Sequence, residues 1–337
     1  MVINWRGKKV LIAGGAGMIG SHMALELLNR GATVTIADNL SSGSINNLKP
    51  CEDRAEFIEC DLRDETTAMK VCRGKDAVFQ FAADMGGIGY ITAIGADIMV
   101  NNTRINVNML RASADVEHYY FSSSACVYPN YLQASENEKS INLKESDAIP
   151  ADPNEFYGWE KLYCEKMVEA AQRDWGRNIH VGRFHNVYGA VYTAFDKDKG
   201  KAPCHLIMKA LRHPDPPMVL WGDGKAVRSY LYIDDCIAAV LRLMNTDYKK
   251  PINIGSDRCV SVDELASIII KISGKNIVPE HDISKPQGVR GRNSDNALAS
   301  KVLGTKQMNW EPVIPLEEGL AHVYQWAEEN FDKLEGI

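Results

Sequence analysis

The sequence contains no C-x-x-C pair: its eight cysteines, Cys51, Cys60, Cys72, Cys126, Cys164, Cys204, Cys236 and Cys259, are scattered. That scatter signals neither a zinc site nor a disulfide framework, so no metal is expected and reduced thiols in a cytoplasmic protein are. No run of about 18 apolar residues occurs, which argues against a membrane span. The opening, MVINWRGKKVLIAGG, enters a strand-like run without the charged and apolar regions of a secretory signal. Positive charge is not in excess, since 38 Lys and Arg face 44 Asp and Glu for a formal net charge of −6. Nothing therefore attracts the chain as a whole to nucleic acid or an anionic membrane, and a small-molecule substrate is favoured. Internal repeats and low-complexity segments are also missing, which excludes a solenoid or a disordered tail.

What is present is a chain of 337 residues, 45% of them hydrophobic, enough to bury a large core in two intimately joined domains. Short apolar runs alternate with helical stretches: KKVLIAG, IGSHMALELLNRG, TVTIAD, AEFIEC, DAVFQFAA, INVNMLRASA and HYYFSSS. Strands separated by helices imply a parallel sheet with right-handed crossovers. A helix over about 155–175 and a strand in NIHVGRF follow, and RSYLYIDDCIAAVLRLM and PINIGS read as returns to the core sheet. The expected fold is α/β: a Rossmann-type parallel sheet with helices on both faces, plus a smaller C-terminal α/β substrate domain. The expected division gives 1–185 and 229–258 to the Rossmann-type domain, and 186–228 and 259–337 to the smaller substrate domain.

LIAGGAGMIGSHMALEL places Gly14, Gly17 and Gly20 between the first strand and first helix. Glycine lets the turn close and the backbone approach a pyrophosphate, which the helix N-terminus then stabilises. Met18 and Ile19 fall within this cofactor loop. Asp38 ends the second strand about 20 residues on, where a carboxylate accepts ribose hydroxyls and repels a 2′-phosphate, favouring NAD over NADP. Asp61 ends the next strand beside the expected adenine position, with Leu62 after it, and Ala82 follows the fourth strand.

FYGWEKLYCEKM carries Tyr157 and Lys161 at i, i+4, on one face of a helix. A tyrosine of pKa about 10 acts as a base at neutral pH only if nearby positive charge lowers it, and the lysine and an oxidised nicotinamide supply that charge. Ser124, at the end of a preceding strand, can hydrogen-bond the same substrate oxygen.

With these residues in place, GGAGMIGS, DNLSSG, SSSACVY, YGWEK, GRFHNVYG and VRSYLYIDD resemble the extended short-chain dehydrogenase/reductase family of nucleotide-sugar enzymes along nearly the whole chain. The resemblance implies a resident NAD, transient oxidation of a sugar C4, a triad of Ser124, Tyr157 and Lys161, and Asn102 supporting the cofactor side. It also implies a homodimer through two helices, about 101–114 and 155–171.

AADMGGIGYI, SSACVYP, KAPCHLIMKA, WGDG and GVRGRNSDN are further similar to the branch of that family that inverts C3 and C5 of a GDP-hexose. A ketone at C4 turns the C3 and C5 protons into α-carbonyl protons. Inversion then requires a base on one face and an acid on the other, each with a pKa near 7. Cys126, of reference pKa about 8.5, is near that range. A cysteine at a strand end is usually packing; its place two residues beyond Ser124 favours catalysis. Lys201, in the charged loop DKDKGKAP, reads by itself as a solvated residue, and the resemblance assigns it the opposing acid. Arg228, Arg290 and Arg292 suit a diphosphate, and the resemblance adds Ser123 and Asn186 as substrate contacts. Met85, Gly86 and Gly87 either line the sugar site or only make a tight turn, and His185 reads as a core histidine. Three alternatives stay open: a sugar 4-epimerase, which DNLSSGSINNL resembles, an epimerase/reductase consuming reduced cofactor, and a non-catalytic NAD-binding sensor.

Overall fold

Seven short runs rich in β-branched and aromatic residues form one parallel sheet. They are β1 (Lys9–Ala13), β2 (Thr33–Asp38), β3 (Glu56–Glu59), β4 (Ala77–Gln80), β5 (His118–Ser124), β6 (Ile179–Phe184) and β7 (Ile252–Ile254), in the spatial order β7-β6-β5-β4-β1-β2-β3. The computed structural model describes residues 2–133, 142–196, 200–285 and 288–335. Val10, Leu11, Ile12 and Ala13 of β1 are wholly buried, which is why the run is continuously apolar rather than alternating: helices cover both faces of the sheet. Helix α1 (Met18–Asn29) packs on it through Met23, Ala24, Leu27 and Leu28. Helices α2 (Gly95–Ala112) and α3 (Phe156–Trp175) pack against each other.

Strand order reverses between β1 and β4, and the crevice beyond their C-terminal ends is where such sheets bind ligands. Gly14 follows β1 directly, and Ser124 ends β5 on the same side.

Only one of the two tail segments expected in the core sheet reaches it. Ile252–Ile254, in PINIGS, pairs with β6, whereas Val227–Ser229 lies in a separate four-stranded sheet between Cys259–Ser261 and Gly291–Ser294, with Asn142–Leu143 at the far edge. Leu231–Tyr232 pairs with Val187–Tyr188 in a two-stranded sheet of its own. The cause is local: Asn186 adopts φ +40° just after β6, turning the chain out of the main sheet, and its carbonyl accepts from Leu231 N at 3.3 Å. Tyr188, Phe195, Lys201 and Arg228, which follow in the chain, line the crevice. No described helix is long and apolar enough to cross a membrane.

Candidate active site

The glycine loop is shaped by close backbone approach. Gly14 has φ +75°, and a Cβ there would lie 2.5 Å from the backbone nitrogen of Ala82; a Cβ on Gly20 would lie 2.3 Å from the Gly14 carbonyl oxygen. Gly17 caps α1, which carries no acidic residue in its first turn, so its N-terminal partial charge is free to face an anion. Asp38 Oδ2 accepts from Ala16 N at 3.0 Å and Oδ1 from Leu40 N at 2.8 Å, fixing the carboxylate against the loop. Burial pushes its pKa up, against the pull of these bonds. A cradle that only glycine fits, a helix N-terminus and a fixed carboxylate about 20 residues on are the features NAD needs. Met18 and Ile19 line the same cavity. Asp61, just beyond β3, is ion-paired to Arg63 at 2.6 Å and half-exposed, and Leu62 beside it is buried. Asn102 is fully buried behind the site: it accepts from Asp84 N at 2.6 Å and donates to Asp84 O at 3.1 Å. It clamps the chain that leaves β4 through Ala82.

That chain, β5 and α3 wall a cavity of about 1190 Å³. Ser124, Cys126, Tyr157, Lys161 and Lys201 all line it. Burial pushes the Tyr157 phenol well above 10, Cys126 and Glu160 push the same way, and the neighbouring Ser124 hydroxyl opposes them. Lys161 is 2% exposed, donates to Ser122 O at 3.0 Å and stands 5.7 Å from the Tyr157 ring centroid. The i, i+4 spacing therefore places the cation beside the phenol.

Ser124 Oγ also accepts from Cys126 N at 3.1 Å, capping the short turn Ala125–Val127. Cys126 is partly exposed, packs beside Tyr157 and Met85, and its sulfur accepts from Arg292 Nη1 at 3.2 Å. Lys201 stands at the N-cap of the helix Ala202–Arg212. Burial lowers its pKa, and Cys126, Cys204 and Cys236 oppose that shift, so the amine and the Cys126 thiol sense each other.

Arg228 lines the same cavity, donating to Val227 O at 2.7 Å; burial and then Arg292 lower its pKa to about 10. The two arginines of GVRGRNSDN separate. Arg292 turns into the cavity, while Arg290 pairs with Asp223 at 2.8 Å. Ser123 reaches the wall, but its hydroxyl donates to Glu165 Oε1 at 2.5 Å. Glu165 in turn is ion-paired to buried Arg183 at 2.7 Å. Asn186 lines the cavity with its amide donating to Ser229 O at 2.9 Å. Met85, Gly86 and Gly87 form part of the wall, held by Asp84, which accepts from Tyr90 Oη at 2.7 Å. His185 is wholly buried and hydrogen-bonds Asn253 at 2.9 Å; burial pulls its pKa down to about 3. It is a neutral core group.

Two side chains of the site escaped sequence reasoning. Gln133, fully buried, accepts from Arg292 Nε at 2.5 Å, and no local pattern links residues so far apart. Glu155 lines the cavity two residues before Tyr157, and burial raises its pKa against the field of Arg292; its closeness to Tyr157 was the available signal.

The fold and the cradle define a dinucleotide-dependent nucleotide-sugar enzyme, and residues 10–255 match the NAD dependent epimerase/dehydratase family. The chain belongs to that family, within the extended short-chain dehydrogenase/reductases, and NAD is its cofactor. It is 40% identical over 333 residues to GDP-mannose 3,5-epimerase 1 of Oryza sativa subsp. japonica, covering 98% of this chain and 84% of the relative. Among solved structures it resembles UDP-glucose 4-epimerase with UDP-glucose from Thermotoga maritima, with TM-score 0.84, 28% identity and coverage of 96% and 99%. UDP-glucuronic acid 4-epimerase from Bacillus cereus, in complex with UDP-glucuronic acid and NAD, is similar at TM-score 0.79, 27% identity and coverage of 95% and 99%.

Proposed function

We propose that this chain inverts C3 and C5 of GDP-mannose through a transient 4-keto sugar, giving GDP-L-galactose and, by inversion at C5 alone, GDP-L-gulose. The observation that carries the reading is the meeting of Cys126 and Lys201 with Ser124 and Tyr157 on one cavity. A 4-epimerase has no use for a second acid/base pair.

NAD supplies the acceptor and donor of the C4 hydride. Tyr157, on the same cavity wall as Ser124, takes the proton of the C4 hydroxyl, and the Lys161 ammonium favours the phenolate that does so. The resulting ketone makes the flanking protons acidic. Cys126 removes them and Lys201 delivers protons to the opposite face, each from a partly desolvated position. Arg228 and Arg292 hold the diphosphate as guanidinium forks.

The test is NMR of GDP-mannose in deuterated water with wild type and Cys126→Ala. Deuterium at C3 and C5 with the wild type, and none with the variant, is expected. Epimerisation at C4 without ring label sinks the reading, as does unchanged label uptake in the variant.

We further infer a homodimer in the cytoplasm. Phe156, Trp159 and Tyr163 recur at i, i+3, i+7 along α3 and are 60%, 40% and 54% exposed, with Val100 of the neighbouring α2 at 56%. An apolar strip of this kind on two adjacent helices suits a second copy. All eight cysteines are free thiols, which accords with a reducing compartment. Sizing of wild type and Trp159→Glu checks the assembly: a dimer that the substitution splits is expected, and a monomeric wild type overturns it.

A further inference from the structure

Three carboxylates line the cavity among the described residues: Glu155, Asp223 and Glu335. Two of them are committed, Asp223 to Arg290 at 2.8 Å and Glu335 to Arg212 at 2.6 Å. Glu155 has no ion-pair partner among the described residues. It also leaves unused the structural role that its position offers. Glu155 is the N-cap of α3, where a side-chain oxygen ordinarily accepts from the first turn, yet its carboxylate makes no capping hydrogen bond. Asn154 Nδ2 donates to Oε1 at 3.0 Å, and no described group donates to Oε2.

The rest of the wall is cationic. Lys161, Lys201, Lys209, Arg212, Arg228 and Arg292 all line the same cavity, a charge that suits a diphosphate and would draw in a carboxylate on the sugar as well. Glu155 lies two residues from Tyr157 in the chain, and its carboxyl senses Arg292, which opposes the upward shift that burial gives its pKa. It therefore belongs to the stretch of wall between the phenol that serves C4 and a guanidinium of the diphosphate site, where a hexose must lie. The N-terminal partial charge of α3 favours the anion. An ionised carboxylate accepts hydrogen bonds and cannot donate one, so it takes a hydroxyl and repels a second carboxylate.

We propose that Glu155 is a specificity residue: it accepts a hydroxyl of a neutral hexose and turns away the corresponding hexuronic acid. That the hexose is mannose on GDP rests on the 3,5-epimerase reading; the exclusion of an anionic sugar does not. Without this one uncommitted negative charge, the cationic wall would hold a uronic acid at least as firmly as the neutral sugar.

The experiment is calorimetry on the NAD-loaded enzyme with two ligands that differ only at C6, GDP-mannose and GDP-mannuronic acid. They share nucleotide and diphosphate, so any change that a substitution makes at Arg292 cancels in the ratio of their dissociation constants. The wild type prefers the neutral sugar, and equal affinities would overturn the proposal. In Glu155→Gln, GDP-mannose binds about tenfold more weakly, the value of one charge-assisted hydrogen bond. GDP-mannuronic acid binds more tightly there, as loss of a like charge requires, so the preference falls by more than about tenfold. A loosened helix end alone would weaken both ligands together and leave the preference unchanged; that result in Glu155→Gln overturns the proposal. Glu155→Asp keeps the charge on a shorter stem, so it weakens GDP-mannose and still rejects the acid. It decides alone if Glu155→Gln fails to retain NAD, and acceptance of the acid by the aspartate variant overturns the proposal. UDP-glucose and UDP-glucuronic acid are run alongside. If only that pair binds, the GDP-mannose reading falls, and the same ratio on that pair judges Glu155.

Discussion

Arg228 and Arg292 stand opposite each other in the parallel register of two neighbouring strands, and neither has an ion-pair partner among the described residues. Two like charges held side by side call for an anion between them, and Arg228 feels its neighbour, which adds to the effect of burial in lowering its pKa to about 10. Arg228→Gln is expected to weaken GDP binding by about 10- to 100-fold, the value of one or two charge-assisted hydrogen bonds. NAD content should be unaffected. Calorimetry with GDP measures it, and unchanged affinity would remove Arg228 from the diphosphate site.

The glycine loop makes a paired prediction. A methyl on Gly20 meets the Gly14 carbonyl oxygen at 2.3 Å, whereas one on Gly17 meets nothing closer than 3.3 Å. Gly20→Ala must shift α1 away from β1 and should be purified with little NAD; Gly17→Ala should keep the fold. Absorbance of released cofactor and thermal melts compare the two. Full NAD occupancy in Gly20→Ala would show that the loop tolerates what its geometry forbids.

Lys201 separates exchange from inversion. Without its ammonium, a proton removed by Cys126 can return only from the face it left, so Lys201→Met should take deuterium into the ring with retention and form no epimer. The wild-type inversion rate should also fall on the alkaline side with a midpoint below 10.5, because burial lowers the lysine pKa and the acid form is lost as pH rises. NMR of the ring positions against pH checks both. Epimers from Lys201→Met would assign the second proton to another group.

Two buried histidines govern acid stability. Burial brings His185 to about 3 and His180 to about 4, below the value near 6.5 of an unfolded histidine. Between these limits the unfolded chain binds more protons, so stability is complete above about pH 6.5 and falls as pH drops. Each histidine should remove about 2 kcal/mol between pH 7 and pH 5. Urea unfolding at the two pH values measures the loss, and His185→Gln should reduce it by roughly half; an unchanged loss would place the acid sensitivity elsewhere.

The ion pair of Glu165 and Arg183 is bidentate and almost wholly buried, with N···O distances of 2.8 and 2.7 Å. Glu165→Ala leaves the guanidinium uncompensated and should cost about 3 to 5 kcal/mol, read by the same urea experiment. A loss under 1 kcal/mol would mean that the remaining acceptors, Glu145 O and Tyr128 Oη, suffice.

How far the chain could be read in advance depended on the range of the forces involved. HYYFSSS coincides with β5 residue for residue because one short run carries its own apolar signal and polar end. Tyr157 and Lys161 needed only helical periodicity. RSYLYIDD misled because its apolar residues fit any sheet, and the turn at Asn186 that diverts the chain leaves no mark in composition. Arg290 and Arg292 looked equivalent in the sequence; Arg290 precedes the strand Gly291–Ser294 and meets Asp223, while Arg292 lies within it. The clamp that Asn102 places on the Asp84 backbone has no local signature in the sequence. Gln133 depends on a contact with Arg292 across 159 positions, which no periodicity encodes.

The three serines of β5 face three directions: Ser122 donates to Gln80 O at 3.0 Å, Ser123 to Glu165, and Ser124 meets Tyr157 and the Cys126 amide. In the reaction proposed above, hydride chemistry ends at Ser124 and ring-proton chemistry begins in the turn that the same hydroxyl caps. In that reaction, a substitution at position 126 therefore removes ring-proton exchange and leaves the groups that serve C4 oxidation anchored in the strand and α3.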